Sequence, residues 1–98
     1  MRRNAAWMKQ QDDRILEYLQ REGWASPSHV AEQASIDISE GHVRERLMML
    51  YYAVLAVPIY EDMYEITTEG RLYLNGKLDA SHQPTPTVER VLGGQSSK

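Results

Sequence analysis

The sequence predicts a mainly helical α+β domain with one small β-hairpin, in the order helix, helix, turn, helix, strand, strand, helix. Three observations predict it. Apolar residues recur at helical spacing in Ile15, Leu16, Leu19 and again in Val43, Leu47, Leu50. The period then changes in "VLAVPIYEDMYEIT", which is β-branched and aromatic around a central Glu61-Asp62. Finally, "TTEGRLYLNGKLDA" returns to a helical pattern behind a threonine cap.

The first helix is expected to begin near Asp12, in "DDRILEYLQREG". Asp12 can cap it, Asp13 suits the positive end of the helix dipole, and Gly23 terminates it. "AAWM" before it can add a turn, with Trp7 anchoring the arm on the domain. The second helix is "SPSHVAEQAS", with Ser26 as N-cap and Pro27 at the first helical position, where its missing N–H costs nothing. Val30, Ala31 and Ala34 give it a small-residue face. A third helix starts behind Ser39, with Glu40 in its first turn, or two residues earlier with Asp37 and Glu40 as a capping pair. It ends near Tyr52.

Two strands follow around the Glu61-Asp62 turn, and Pro58 restricts its strand to an edge or a bulge. Residues near Ala25 can pair with the hairpin as a short third strand. A fourth helix is capped by Thr67 or Thr68 and stops around Asp79. A short helix followed closely by a longer one is the helix-turn-helix plan, and a hairpin directly after it is a wing. The expected fold is therefore a winged helix-turn-helix over residues 12–80, with an N-terminal arm at 1–11. Residues 81–98, "SHQPTPTVERVLGGQSSK", read as a flexible tail. A domain this small buries only ~60% of its unfolded surface, so dimerisation would add to its stability.

Composition narrows the function. There is no cysteine, hence no disulfide, thiolate nucleophile or cysteine-based metal site. No apolar run approaches the roughly 18 residues of a membrane span, and "MRRNAAWMKQQDD" lacks a signal-peptide core. A soluble, cytoplasmic protein without membrane contact is expected. His29, His42 and His82 are dispersed and fit no metal spacing. Adjacent Asp12 and Asp13 diverge by about 100° on a helix, so they form no working acid–base pair. Neither an enzyme nor a cofactor is expected.

The net charge is −3, unevenly spread. Arg2, Arg3 and Lys9 make residues 1–11 net +3, and the two arginines are candidates for a phosphate-binding arm. Residues 12–80 hold six basic against thirteen acidic groups, net −7. Nucleic-acid binders usually show a basic stripe, which this balance lacks. Arginine outnumbers lysine 8 to 3, and an acidic, lysine-poor chain suits a high-salt cytoplasm.

"WMKQQDDRILEYLQREGWASPSHVAE", "SEGHVRERL" and "YEITTEGRLYLNGKLDA" together resemble small winged-helix regulators of halophilic archaea. These are the phage phi-H repressor-like proteins, related to MarR-type winged helices. The resemblance spans about residues 5–80. It rests most on Trp7-Met8, "DDRILEYL", "SPSHVA", His42, Arg46 and the Thr67 to Ala80 motif. It implies a homodimeric, double-stranded-DNA-binding transcriptional repressor. The sequence departs from the family at Met48 and Met49, where basic residues are common. It departs again at the helix ending Tyr51-Tyr52-Ala53, commonly Glu-His-Gly-like, and at the Glu61-Asp62-Met63 wing turn, usually Gly/Asn-rich.

In a helix-turn-helix the early residues of the third helix reach base edges. Glu40, Gly41, Arg44 and Glu45 lie between core positions and can point outward. Arg44 can contact a guanine through two hydrogen bonds, worth about 1–3 kcal/mol of discrimination. Glu40 or Glu45 can accept from cytosine N4 or hold Arg44 in place. Arg46 can contact phosphate or pair with an acid. His42 can cap, bond a phosphate, or be a plain surface histidine. Ser39 caps. Ser26 and Ser28, with the N–H groups at their helix start, can hold phosphate or simply cap. An acidic Glu61-Asp62 wing tip would repel phosphate in the minor groove, so it stays off DNA or the partner is not DNA; the plainest reading is a solvated turn. Trp7, Tyr18 and Leu74 are the candidate dimer contacts, across the arm, first helix and fourth helix. Met48, Met49, Tyr51 and Tyr52 wrap most of the helix circumference, so some pack under the hairpin and the rest offer an interface. The alternative reading is therefore a module for protein partners that uses this Met/Tyr surface, with weak or no DNA binding.

Overall fold

In the computed structural model, which describes residues 1–92, the expected order holds. α1 (Gln10–Glu22), α2 (Pro27–Ala31) and α3 (Glu40–Tyr52) precede strands β1 (Ala56–Tyr60) and β2 (Met63–Ile66). α4 (Thr68–Leu74) follows, then a 3₁₀ turn (Ala80–His82) and a short α5 (Val88–Leu92). The core is one cluster: Ile15, Leu16 and Leu19 from α1, Val43, Leu47 and Leu50 from α3, with Leu55, Ile66 and Tyr73 closing it.

Local chemistry places most boundaries. Ser26 and Ser39 each accept a hydrogen bond from the N–H three residues on, from His29 and His42. The earlier start at Asp37 does not form, because Asp37 sits in the left-handed region, with φ 54°. α2 is shorter than expected, and Ala34 lies exposed beyond it. Thr67 caps α4 through Gly70 N–H (2.9 Å) and also donates to the Val54 carbonyl (2.7 Å). α4 ends at Leu74 rather than near Asp79. There Gly76 takes φ 76°, and the N–H groups of Gly76 and Lys77 return to Tyr73 and Leu72.

The hairpin is antiparallel and turns at Glu61-Asp62, and the register shifts between Pro58 and Tyr60. The proline strand is thus a bulged one. Ala25 exchanges both backbone hydrogen bonds with Tyr64 (3.0 and 2.9 Å), which supplies the short third strand. This pairing ties the turn before α2 to the wing.

α3 ends with the same pair of return bonds as α4, from Val54 N–H to Tyr51 and from Leu55 N–H to Leu50. Here a valine, not a glycine, occupies the left-handed position, at φ 66°. A β-branched residue is strained there, and Val54 is exposed, so it gains little from burial. Val54→Gly is therefore expected to stabilise the protein by about 1 kcal/mol, the relieved strain exceeding the added chain entropy of glycine. A thermal midpoint that falls in a melting experiment would contradict this.

The N-terminal arm and residues 81–92 pack closer than expected. α1 starts at Gln10, and Asp12, expected as its cap, lies one turn in, fully buried, accepting from Lys9 N–H (2.8 Å). The arm is docked: the Arg3 carbonyl accepts from Ala80 N–H, and Ala5 and Met8 are buried. Arg2 donates to the Leu74 carbonyl and pairs with Asp13 and Glu17, so it is engaged within the domain rather than held out for phosphate. Residues 81–92, expected as part of a flexible tail, lie against the end of α3. Gln83 donates to the Ala53 carbonyl (3.0 Å), and Pro86 and Val91 are buried. The remainder of that tail, residues 93–98, lies outside the described residues.

Candidate nucleic-acid interface

α2 and α3 pack on one another, and the first half of α3 faces outward. Glu40, Gly41 and His42 are exposed, Arg44 and Glu45 are half-exposed, and Val43 and Leu47 are buried beneath them. The helical repeat makes this division: residues 43 and 47 share the core stripe, and the positions between them point away. Ser26 and Ser28 sit beside α3 at the start of α2, with hydroxyls 3.0 Å apart.

Arg44 and Arg46 have opposite fates. Arg44 has a side chain that is 42% exposed, and it meets both carboxylate oxygens of Asp62 across the wing (Nη1–Oδ1 2.6 Å, Nη2–Oδ2 3.1 Å). Glu40, one turn earlier, stands 3.3 Å from Nη2. Of the two expectations for Glu40, the structure shows it holding Arg44. The hydrogen bonds from Arg44 keep the Asp62 carboxyl below the usual carboxylate range. Asp62 of the acidic wing tip is thus paired with an arginine of α3 while staying half exposed, as in a solvated turn.

Arg46, expected either to contact phosphate on DNA or to pair with an acid, does the second: it turns inward and is 8% exposed. Its Nε and Nη2 bond the two oxygens of Asp12 (2.8 and 2.6 Å), Nη2 also reaches the Trp7 carbonyl, and Nη1 lies 3.3 Å from Met49 Sδ. The bonds to Asp12, outweighing the cost of burial, hold the Arg46 guanidinium more firmly protonated than usual. A phosphate cannot reach a group already enclosed on these sides. The sequence did carry a signal: position 46 is three residues after Val43 and beside Leu47, on the edge of the apolar stripe.

Of the expected dimer contacts, Leu74 is drawn into the core, and Trp7 and Tyr18 stay partly exposed. Leu74 is 7% exposed and belongs to the core, so it is not a surface contact. Trp7 packs on the core with its ring 5.8 Å from the Arg46 guanidinium, and Tyr18 packs there under Arg21. Of the Met/Tyr group, Met49 is buried. Met48, Tyr51, Tyr52 and Val54, with Pro58 and Tyr64 from the wing, line a groove of about 690 Å³ that Arg44 and, from α5, Arg90 and Val91 complete.

Residues 1–83 match the family model described as winged helix-turn-helix phage repressor. The chain belongs to this family. The phage repressor winged helices are DNA-binding regulators rather than enzymes, and this chain is a regulator of that kind. Its fold is similar to the crystal structure of the PhiH1 repressor-like protein from Haloarcula marismortui, at 40% identity and a TM-score of 0.82. The match covers 88% of this chain and 98% of that one. No curated protein matches. Among the described residues no helix is long and apolar enough to cross a membrane.

Proposed function

We propose that this repressor-family chain binds double-stranded DNA sequence-specifically as a homodimer, with α3 in the major groove, and that it represses transcription in a high-salt cytoplasm. The observation that carries the reading is the outward face of Glu40, Gly41, His42, Arg44 and Glu45 on a helix capped by Ser39 and seated on α2. In helix-turn-helix proteins that face meets base edges, while the start of the preceding helix, here Ser26 and Ser28, lies at phosphate. Two-fold-related α3 helices would lie roughly 34 Å apart, one turn of DNA. The dimer surface combines the arm, α1 and α4. On α4 the exposed Leu72 takes the part first expected of Leu74.

Binding to duplexes selected from a random pool, over a KCl series, tests this reading. Affinity should fall with salt at a log–log slope of about −0.9 per phosphate neutralised. Arg44→Ala should cost about 1–3 kcal/mol on the selected duplex and relax the preference at one base position. No preference over random DNA at any salt would overturn the proposal, and light scattering that shows only monomer would remove the dimer.

The exposed Tyr51, Tyr52 and Val54 around the groove favour a second reading, a protein partner that docks on this Met/Tyr face. Such an apolar contact would hold or strengthen as salt rises, opposite to DNA.

A further inference from the structure

We propose that Asp62, at the tip of the wing, is a specificity-determining residue that withholds Arg44 from backbone phosphate and leaves it available to a base edge. The inference rests on the reading that α3 enters the major groove.

The contact between Arg44 and Asp62 uses the two terminal guanidinium nitrogens and both carboxylate oxygens. Arginine makes the same two-pronged contact to guanine O6 and N7. Asp62 therefore occupies the hydrogen-bonding edge that a guanine would occupy. Either DNA partner must displace it, but the two meet different surroundings. With Glu40 also on Nη2, the cluster holds one cation and two anions, a net −1. A phosphate arriving there faces two carboxylates at close range. A guanine edge is neutral and offers two acceptors, so it does not incur that repulsion. The displaced carboxylates can then accept from cytosine N4, the donor that a G·C pair presents in the major groove.

Exposure keeps the exchange available. The two side chains are 42% and 52% exposed, and an exposed pair shifts an equilibrium by roughly fivefold at most. That suffices to suppress sequence-independent binding, which is a phosphate attraction, without preventing specific binding. It also accounts for an acidic residue on a wing that would otherwise face DNA. The geometry makes Asp62 the partner that sets which DNA group Arg44 accepts.

The test uses the full chain with Asp62→Asn, Arg44→Ala and the double variant. Each is measured by fluorescence anisotropy against a selected duplex and against unselected random duplex. Asp62→Asn is expected to tighten binding to random DNA about fivefold. It should steepen that salt slope by about 0.9, because Arg44 now reaches a phosphate, and tighten selected-duplex binding by a smaller factor, since there only the release of Arg44 is gained and no phosphate repulsion is relieved. In the Arg44→Ala background the slope change caused by Asp62→Asn should vanish, because no arginine is left there to reach a phosphate. An unchanged ratio of selected to random binding in Asp62→Asn, or the same slope change persisting without Arg44, would overturn the role of Asp62. If Arg44→Ala itself leaves that ratio unchanged, base reading by Arg44 fails and this inference falls with it, a different pattern from failure of Asp62 alone. Matching thermal midpoints for Asp62→Asn and wild type would exclude a merely structural tie between wing and helix.

Discussion

Arg46→Ala is expected to destabilise the protein by about 3–5 kcal/mol, because it leaves the carboxylate of Asp12 buried without its cation. A fully buried ionised group cannot recover its hydration, and the Lys9 N–H alone does not neutralise it. In a domain of this size each kcal/mol moves the thermal midpoint by about 4–8 °C, so the variant should melt well below wild type. The cost belongs to the broken pair, not to the arginine. Asp12→Asn combined with Arg46→Met should therefore recover most of it, since asparagine keeps the cap to Lys9 and methionine fills similar space. Circular dichroism melts of the single and double variants measure both. A loss below about 1 kcal/mol in Arg46→Ala would mean the pair behaves as a solvated one. Loss of DNA binding in that variant would report on folding rather than on contact.

Gly70→Ala is expected to destabilise by about 3 kcal/mol, the upper end of overpacking costs. A Cβ there would overlap the Leu55 carbonyl oxygen and stand 2.6 Å from Ile66 Cγ1. The Leu55 oxygen belongs to the backbone and already accepts from Thr67 N–H, so it cannot swing aside. Alanine's better helix propensity, worth ~1 kcal/mol, offsets only part of this. By contrast, Gly41→Ala meets nothing within 4 Å and should stabilise α3. Denaturant midpoints of the pair check the argument. A Gly70→Ala variant as stable as wild type would show that α4 can slide off the root of the wing.

These two residues show what can be read at a distance and what cannot. Gly70 sits in a motif that marks the start of α4, yet the reason for a glycine there is a carbonyl fifteen positions earlier. Arg46 carries two expectations in the sequence, a phosphate or an acid, and its place at the edge of the Val43–Leu47 stripe does not say which acid 34 residues away it meets. Asp12 does cap, and the same carboxylate also receives Arg46. The composition of the tail reads as open chain. Pro86 and Val91 are nevertheless buried, and Val91 does so on α5, which packs on α3.

Element order, the caps at Ser26, Ser39 and Thr67, the bulged proline strand and the alternation of core and surface along α3 were legible in the sequence. Each depends on residues within a turn or two of one another, where side-chain to backbone bonds and periodicity act. The fates of Arg44 and Arg46 were not. They are two positions apart, so about 200° of helix separates them, and what each meets is set by whatever packs on its side. Asp12 lies 34 residues from Arg46, and Asp62 lies 18 from Arg44. Only the docking of α1 behind α3 and the folding of the wing across its front bring those carboxylates within reach, making one arginine a buried strut and leaving the other to face solvent beside an acid.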